Sequence, residues 1–575
     1  MNRDEADEPL ELPARRGYTL TYRGISLLSR FDPVAQGERL TAKIPVKEKT
    51  LYLCPSPVYG YGLSLLVERL PGNSAILCVE ADEKLFAISQ KALNDPAYAG
   101  TEKDTKLPRL ALLQITETGR EGAFACAFVR DTWGRRRFRR VEVLRLTGGW
   151  QLYPRLYDDL ANNLMRELAI EWGNAITLIR LGRLYTRNLI RNIALLSASK
   201  SISALDFGFS PVLVLGAGPS LDLILGELSD HSGGKIPGSN ERLYKIACVD
   251  TCLPALLERG IMPDLVVILE SQHWNLRDFT GSRGKKIDAA IDLSALPASV
   301  RVLNGQRFLY ATAWTELTLM TRLEKTGLLP QVMPPMGSVG LSAVELALRA
   351  GKGPVLTGGI DFSFTLDAYH ARSTPGQDEL TRKQNRLKSI INAGTAFREG
   401  TFTALSKSGK IVRSDPAMRS YRNLFEQEFG GHNRLFDISG PGLPLGIKTI
   451  SASEAFAILN GQEKTEYAEN TDTGSTDDIA SGSEKAAAFI REEINTLKSL
   501  RDMLSGETSV DTAALEALLD TTDYLWAHFP DYAGTDKQKP SLTDIGFLKR
   551  LRSEIDPFLK DWQITLEEII NRLVR

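Results

Sequence analysis

Apolar residues along this chain fall into short runs that are separated by glycine- and proline-containing loops and by helical patterns. In the first 150 residues, LYLCPSPVYGYGLSLLVERL predicts a strand, a loop and a helix, and AILCVEADEKLFAIS predicts a second strand that ends in Glu80 and Asp82. This order is typical of one half of a Rossmann-like sheet. Farther on, RLALLQI, AFACAFVR and RRFRRVEVLRL predict more strands, joined by tight turns and paired in antiparallel fashion.

The remaining pattern predicts four more segments. Residues 155–202 have apolar positions at helical spacing, and residues 210–360 alternate strand and helix, which is typical of a mostly parallel α/β sheet. The polar, acidic stretch GQEKTEYAENTDTGSTDDIASGS cannot bury enough apolar surface to order itself. We therefore expect an N-terminal Rossmann-like α/β domain (1–150), connecting helices (151–205), a central α/β domain (206–460), a flexible linker (461–483) and a C-terminal helical domain (484–575).

Composition narrows the class of protein. The net charge of −1 and the pI of about 6.6 give no indication of nucleic acid or an anionic membrane as partner. The five cysteines are odd in number and form no CxxC, so we expect neither a disulfide framework nor a zinc site. The acidic opening MNRDEADEPLELPARR has no apolar core of a signal peptide, and no apolar run reaches membrane-spanning length. A soluble, cytoplasmic protein is the expectation; the oligomeric state is not readable.

The first chemical motif is PVLVLGAGPSLDLILGEL, a buried strand that enters a glycine turn and then a helix. Gly216 and Gly218 allow a tight turn close to a ligand, and Pro219 suits the first helical turn. We expect Ser220 and the free N–H groups of that turn to point outward as an anion site. Leu221 replaces the third glycine of GxGxxG, which disfavours a dinucleotide. The alternative is a glycine turn without a ligand.

Two acidic residues follow the next predicted strands. Asp250, after YKIACV, is placed to accept hydrogen bonds from ribose hydroxyls; alternatively, it caps the helix that starts at Thr251. Glu270 ends the strand PDLVVILE. Because carboxyl ends of neighbouring parallel strands converge on one crevice, we expect Asp250 and Glu270 to lie near the same ligand.

A second anion site is predicted in PPMGSVGLSAVELALRAG, where Gly337, Ser338 and Val339 open a helix. The next strand, PVLTGGIDFSF, leads to Asp361, and His370 follows in a polar loop. A histidine there can act as general acid or base near neutral pH, or it can simply be exposed.

Together these segments resemble the motility-associated factor (Maf) flagellin glycosyltransferases. In the core, the resemblance is carried by GAGPSLD, the VD at Asp250, GIMPDLVVILE, MGSVG, and GGIDFSF with YHA. It extends over roughly residues 17–460, because LTYRGISLLSRFDPVAQGERL, the helix with Asn188 and Asn192, and YRNLFEQEF also fit the family. The core of this family is shared with the archaeal 6-hydroxymethylpterin diphosphokinases. Two positions depart from the family pattern: Glu270 stands where Asp is usual, and Met336 where glycine is common.

The resemblance implies a sialyltransferase-like, GT-A-related core that moves a nonulosonic acid, of pseudaminic or legionaminic type, from CMP to Ser or Thr of flagellin. Such a transfer is needed for flagellar assembly and motility. Carried over to this chain, Gly216, Gly218, Pro219 and Ser220 would hold the nucleotide phosphate, and Asp250 with Thr251 the ribose. Gly337, Ser338 and Val339 would hold the phosphate or the sugar carboxylate, and Asp361 with His370 would line the reaction centre.

No metal or other cofactor is expected for this reaction. Glu270-Ser271-Gln272 stands where a diphospho-sugar enzyme would place Asp-x-Asp, and the single phosphate of CMP can be stabilised by helix N-termini. One alternative is an ATP- and magnesium-dependent diphosphokinase acting on a pterin-like alcohol, with Asp250, Glu270 and Asp361 as metal ligands. Another is a non-catalytic flagellin-binding factor. For the N-terminal unit, whose loop PSPVYGYG lacks a clear GxGxG, we expect a structural or acceptor-binding role.

Overall fold

The computed structural model describes residues 8–94, 107–116, 121–134, 136–230, 242–314, 317–390, 397–461, 476–505, 511–533 and 541–574. The chain forms two compact units. The first comprises Met1–Arg180 and Ala527–Ser541, and the second Leu181–Trp526 and Leu542–Arg575. The predicted boundary at residue 150 is therefore about thirty residues early, because the long helix that follows it belongs in part to the first unit.

The first unit contains a small antiparallel sheet and a four-stranded parallel sheet in the order β6-β5-β4-β7. Its elements are β1 (Leu10–Pro13), β2 (Tyr18–Tyr22), β3 (Ile25–Ser26), α1 (Pro33–Ala42), β4 (Thr50–Pro55), α2 (Leu63–Arg69), β5 (Ala75–Glu80), α3 (Glu83–Leu93), β6 (Leu110–Gln114), α4 (Glu121–Trp133), β7 (Arg140–Val143) and the part of α5 (Pro154–Asn192) up to Arg180. β4 and β5 are buried at every position, as in parallel strands covered on both faces. This confirms the predicted Rossmann-like half.

Two details of that prediction are wrong. β6 and β7 pair in parallel with β5 and β4, not in antiparallel fashion. The run AFACAFVR is not a strand but lies in α4, where Ala125, Val129 and Trp133, spaced by four, are buried against the sheet. A short apolar run is compatible with either element, and here the spacing of its buried residues decided for the helix.

The second unit is built on one large parallel sheet in the order β14-β13-β12-β11-β10-β9-β15-β18-β19, with β8 also paired to β13. Its elements are β8 (Lys200–Ser201), β9 (Val212–Leu215), α6 (Leu221–Asp230), β10 (Lys245–Val249), α7 (Leu253–Glu258), β11 (Leu265–Ile268), β12 (Asp288–Asp292), β13 (Arg307–Thr312), α8 (Thr318–Lys325), β14 (Val332–Met333), α9 (Val339–Ala350), β15 (Val355–Gly358), α10 (Pro375–Lys383), β16 (Phe402–Leu405), β17 (Ile411–Ser414), α11 (Pro416–Phe429), β18 (Leu435–Ile438), β19 (Lys448–Ile450) and α12 (Ala452–Asn460). A separate two-stranded hairpin is formed by β16 and β17.

The sheet reverses its direction of growth between β9 and β15. From β9 the chain adds strands outward to β14, and from β15 it adds β18 and β19 on the other side. In open α/β sheets, ligands bind outside the carboxyl ends of the strands at such a reversal. The predicted motifs after β9 and β15 therefore lie where this fold forms a binding crevice, and the predicted α/β fold class is confirmed.

The C-terminal helices are α13 (Thr476–Ser505), α14 (Thr512–Thr521), α15 (Pro530–Ala533) and α16 (Ile545–Leu573). α13, α14 and α16 belong to the second unit, where Asp561 of α16 accepts a hydrogen bond from Arg187 over 2.5 Å and Trp562 is fully buried. The C-terminal segment is therefore helical, as predicted, but these three helices belong to the second unit and not to a separate domain. The predicted linker is wrong for residues 476–483, which are helical, while residues 462–475 lie outside the described residues.

Candidate functional site

The loops after β9 and β15 pack directly on each other. The Gly216 N–H donates to Gly358 O over 2.8 Å, and the Gly218 N–H donates to Gly359 O over 2.7 Å. A Cβ on Gly216 would lie 2.4 Å from Gly359 O, and one on Gly218 would lie 2.5 Å from Asp361 Oδ2. Both glycines are therefore required by the close approach of two backbones of this chain, in addition to any ligand.

Asp361 and Ser220 join these two loops. The Asp361 carboxylate accepts from the Ser220 N–H over 2.7 Å and from the Ser220 hydroxyl over 2.6 Å, and only 2% of Asp361 is exposed. The hydroxyl in turn accepts from the Gly359 N–H over 3.1 Å. The expectation that Ser220 points outward is wrong, because an internal carboxylate already occupies this anion-binding position. Asp361 holds the start of α6. This geometry favours a structural role for Asp361 over a direct role in the reaction centre.

A buried lysine lies behind this pair. Lys407 forms an ion pair with Asp437 over 2.6 Å, and both side chains are almost fully buried. Burial raises the pKa of Asp361, while the charge of Lys407 and the two hydrogen bonds from Ser220 lower it. This network fixes the loop between β9 and α6, and within residues 216–220 it leaves Ala217, Gly218 and Pro219 partly exposed.

Asp250 begins a 3₁₀ turn at the carboxyl end of β10. Its Oδ1 accepts from the Thr251 N–H over 2.8 Å and from the Thr251 hydroxyl over 3.2 Å, and its Oδ2 accepts from Asn275 Nδ2 over 2.7 Å. Burial raises the pKa of Asp250 to about 6, and the charge of Glu270 adds to the shift. Asp250 thus holds Thr251 and Asn275 by hydrogen bonds. Glu270 lies close enough to raise the pKa of Asp250, as expected from the strand order.

Asn275 is a site residue that sequence reasoning missed. It lies in a 3₁₀ helix (His273–Phe279), is 1% exposed, and its Nδ2 also donates to Asp278 Oδ2 over 3.2 Å. Within the described part of the chain, its buried Oδ1 has no hydrogen-bond partner. An unpaired buried acceptor costs about 1–3 kcal/mol, so this oxygen is well suited to accept a ligand hydroxyl. Burial also raises the pKa of Asp278 to about 7, with the charge of Asp250 as the next cause.

The helix α9 begins at Val339, and the side chain of its N-cap residue, Ser338, makes no hydrogen bond to the first turn. Gly337 is exposed and has φ +66°, a conformation that favours glycine, and Tyr421 lies beside it. Behind the first turn, Gly340 faces Ile360 of the β15 loop, and α9 packs on β9, β10, β11 and β15. The uncapped N–H groups therefore lie at the carboxyl edge near the reversal point, where the sequence predicts an anion site.

His370 lies beside the β9 loop, since the N–H of the next residue, Ala371, donates to Ala217 O over 2.9 Å. Its ring packs near Tyr369 and against Gly376, and the residue is partly buried, not in an exposed loop. Burial lowers the pKa of His370 to about 4, so the imidazole is neutral at pH 7. A neutral imidazole can accept a proton, which is the role predicted for it.

Two asparagines of α5 hold the loops that follow β11 and β12. Asn188 Nδ2 donates to the carbonyl oxygens of Ser271 and Ser294, and Asn192 Nδ2 donates to those of Leu293 and Ala295, over 2.8–3.0 Å. Both asparagines are buried. They were named in the sequence only as part of a resemblance; the structure gives them a physical role in fixing the carboxyl edge of the sheet.

The corresponding edge of the N-terminal unit is closed. Glu80, at the end of β5, is fully buried, and its carboxylate accepts from the hydroxyls of Ser56 (2.7 Å) and Tyr157 (3.2 Å) and from the N–H groups of Ala81 and Asp82. Burial raises the pKa of Glu80 to about 7. An acid at this position would bind a ribose in a dinucleotide-binding unit, but here the chain itself occupies it.

Two further findings concern the described residues. They contain no group of three or more His, Cys, Asp or Glu side chains arranged to hold a metal ion. Among them, no helix is at once long and apolar enough to cross a membrane.

Known proteins are similar to this chain in sequence and in fold. Residues 186–367 match the family described as 6-hydroxymethylpterin diphosphokinase MptE-like. An uncharacterised protein of Treponema pallidum (strain Nichols) is 29% identical over 572 residues, which cover 96% of this chain and 94% of that protein. The solved structure of a Maf glycosyltransferase from Magnetospirillum magneticum AMB-1 aligns with 98% of this chain and 90% of its own, with a TM-score of 0.52 and 14% identity.

These matches confirm the resemblance in two respects. The chain contains an MptE-like core domain that spans the strands and loops of the candidate site, from α5 to the loop with Asp361. It also shares its fold with a Maf glycosyltransferase along nearly its whole length.

Proposed function

We propose that this protein is a cytoplasmic glycosyltransferase that moves a nonulosonic acid, of pseudaminic or legionaminic type, from CMP to Ser or Thr hydroxyls of flagellin, in a step needed for flagellar assembly and motility. The proposal is supported by the fold shared with a Maf glycosyltransferase and by the MptE-like core. The observation that carries it is the uncapped N-terminus of α9 at the carboxyl edge of the sheet, close to its point of reversal.

The proposed donor site has an anionic part and a ribose part. The N–H groups of Ser338 and Val339, and the exposed backbone of the β9 loop, would bind the phosphate or the sugar carboxylate. The ribose would lie at Thr251 and Asn275, which Asp250 holds in place. A ribose hydroxyl donating to Asn275 Oδ1 would satisfy the buried acceptor that has no partner within the described chain.

In the proposed reaction, the bond between the anomeric carbon and the CMP phosphate oxygen breaks, and a bond from that carbon to the acceptor hydroxyl oxygen forms. His370 accepts the proton of the hydroxyl. Its low pKa makes it neutral and ready to accept, although weakly basic, and the negative charge of the departing CMP would stabilise the imidazolium that results. Asp361 acts in this account as a positioning residue, through Ser220 and the β9 loop.

A second candidate, ATP-dependent diphosphate transfer to a pterin-like alcohol, is favoured by the name of the matching family. That chemistry needs carboxylates arranged around magnesium. A non-catalytic flagellin-binding factor is the third candidate. The three differ in which nucleotide the purified protein binds, and whether magnesium is needed.

The test is the thermal shift of the purified protein with CMP, 2′-deoxy-CMP and ATP, each with and without magnesium. A ligand at a hundredfold excess over Kd adds about 2.7 kcal/mol to the free energy of unfolding. We expect a metal-independent shift with CMP, smaller with 2′-deoxy-CMP, and strongly reduced in Asn275→Ala. Asn192→Ala is the matched control: it also removes a buried asparagine, so it should lower Tm but keep the CMP shift. A shift with ATP and magnesium alone would favour the diphosphokinase, and no shift with any nucleotide would favour the binding factor.

A further inference from the structure

The hairpin β16–β17 follows the site loop of β15 and has one unpaired edge. Ser406 N–H donates to Lys410 O over 2.8 Å at the turn, so the residues of β16 that bond to β17 are Ala404 and Phe402. The N–H and C=O groups of Thr403 and Leu405 therefore point away from β17. In the described chain, β16 has no second neighbour.

One face of the hairpin is apolar and exposed. Leu405 and Ile411 lie directly opposite each other and are 66% and 76% exposed. Phe397, 58% exposed, lies beneath the guanidinium of Arg413, which is opposite Thr403. Exposed apolar side chains on an unpaired edge strand are a ready template for strand pairing with another chain.

The segment around the hairpin is basic although the whole chain carries a net charge of −1. Residues 382–413 contain eight Lys or Arg residues, and Glu399 is the single acidic residue. Some of these cations are engaged within the chain, such as Lys407 with Asp437 and Arg398 with Asp415, but Lys410, Arg386 and Lys388 are exposed. This charge is complementary to an acidic partner.

The hairpin is also joined to the candidate site. The outer edge of β17 is occupied, because Arg413 exchanges two backbone hydrogen bonds with Phe364 of the loop after β15, over 2.8 and 2.9 Å. Ser414 donates to Phe362 O over 2.8 Å. The helix that follows, α11, carries Tyr421, which lies against Gly337 at the start of α9. A chain that pairs with β16 would thus lie on a segment that contacts both the loop after β15 and the start of α9.

We propose that the acceptor polypeptide docks by strand addition to β16, through an extended segment with acidic and apolar side chains. Its backbone would pair with Thr403 and Leu405, its apolar side chains would cover Leu405 and Ile411, and its acids would face Lys410. Strand addition is a common mode of peptide recognition, in which main-chain bonds give affinity and side chains give specificity. A lipid surface fits less well, since unpaired strand backbone cannot be satisfied in hydrocarbon. This inference rests on the proposed transfer to a protein acceptor.

The decisive variant is Thr403→Pro, because proline removes the outward N–H while leaving the bonds between β16 and β17 intact. Thr403→Val is the matched control, since it keeps that N–H. Leu405→Ser with Ile411→Ser tests the apolar face, and Ile545→Ser, at a residue 68% exposed on α16, is its control. The full-length proteins are compared for binding to flagellin monomer from the source organism, for binding to phosphatidylglycerol vesicles, and for Tm and CMP shift.

We expect Thr403→Pro and the double serine variant to bind flagellin about tenfold more weakly, while both controls bind as the unaltered protein. Tm and the CMP shift should stay unchanged in all four, which shows that fold and nucleotide site are intact. Equal flagellin binding by Thr403→Pro and Thr403→Val, no flagellin binding by the unaltered protein, or binding to vesicles alone would each overturn the inference. Absence of a CMP shift in the unaltered protein would instead refute the proposed function, which keeps the two failures distinguishable.

Discussion

Replacing Ser220 by alanine removes a hydroxyl that connects the two halves of the sheet. The hydroxyl donates to the Asp361 carboxylate and accepts from the Gly359 N–H. A buried bond to a charged group contributes about 1.5–3 kcal/mol and a neutral bond about 1 kcal/mol. We therefore expect Ser220→Ala to lower the free energy of unfolding of the second unit by about 3 kcal/mol.

Asp361→Asn complements this change in a double-mutant cycle. An amide oxygen can still accept from the Ser220 N–H, but the amide nitrogen cannot accept from the hydroxyl, and a charge near Lys407 is lost. If the Ser220–Asp361 bond is the main interaction, the double variant should be about 2 kcal/mol more stable than the sum of the single changes predicts.

The assay is urea unfolding followed by hydrogen-exchange mass spectrometry, which reports β9 and α6 separately from the N-terminal unit. Each variant is also measured with saturating CMP. We expect the CMP-induced stabilisation to survive in Ser220→Ala. Single changes that add within about 0.5 kcal/mol would show that the two residues do not interact. If CMP, at a concentration that saturates the unaltered protein, did not stabilise Ser220→Ala, Ser220 would contact the nucleotide instead of capping α6.

Two further predictions concern the closed N-terminal edge and the asparagines of α5. Because burial raises the pKa of Glu80 from 4.5 to about 7, the folded unit retains a proton that the unfolded chain releases at lower pH, so the contribution to stability is fully present below pH 4.5 and is lost as the pH rises from there through about 7. Glu80→Gln should remove this dependence in thermal unfolding of the N-terminal unit; an unaltered pH profile would contradict it. Asn188→Ala loses two hydrogen bonds, to Ser271 O and Ser294 O, and should cost about 2–3 kcal/mol and speed hydrogen exchange in both loops; unaltered exchange there would show that the loops are held otherwise.

The succession of strands in the central domain could be predicted because each is a continuous apolar run bounded by glycine, proline or an acid. The same runs located Asp250, Glu270 and Gly337 at strand and helix ends, since the ends of runs are visible in a sequence. AFACAFVR failed as a strand because its length suits either element. The C-terminal helices failed as a separate domain because their partners, such as Arg187 for Asp561, are far away in sequence.

The interior contacts of the site could not be predicted for the same reason. Ser220 and Asp361 are 141 residues apart, and no local pattern shows that a carboxylate from β15 fills the anion position of α6. Asn275 lies in a short 3₁₀ helix without periodicity, so nothing in the sequence marked its buried, unpaired oxygen. The start of α9 could be located from local signals, and no side chain caps it in the structure, so the anion site there stays a prediction.

The most direct measurement is the intact mass of flagellin after incubation with the purified protein and CMP-pseudaminic or CMP-legionaminic acid, without added metal. We expect flagellin to gain one nonulosonic acid residue per modified Ser or Thr and CMP to be released in equal amount. In His370→Ala, we expect neither the mass gain nor the release of CMP. An unchanged flagellin mass with donor bound, or product formed only from ATP, magnesium and a pterin alcohol, would contradict it.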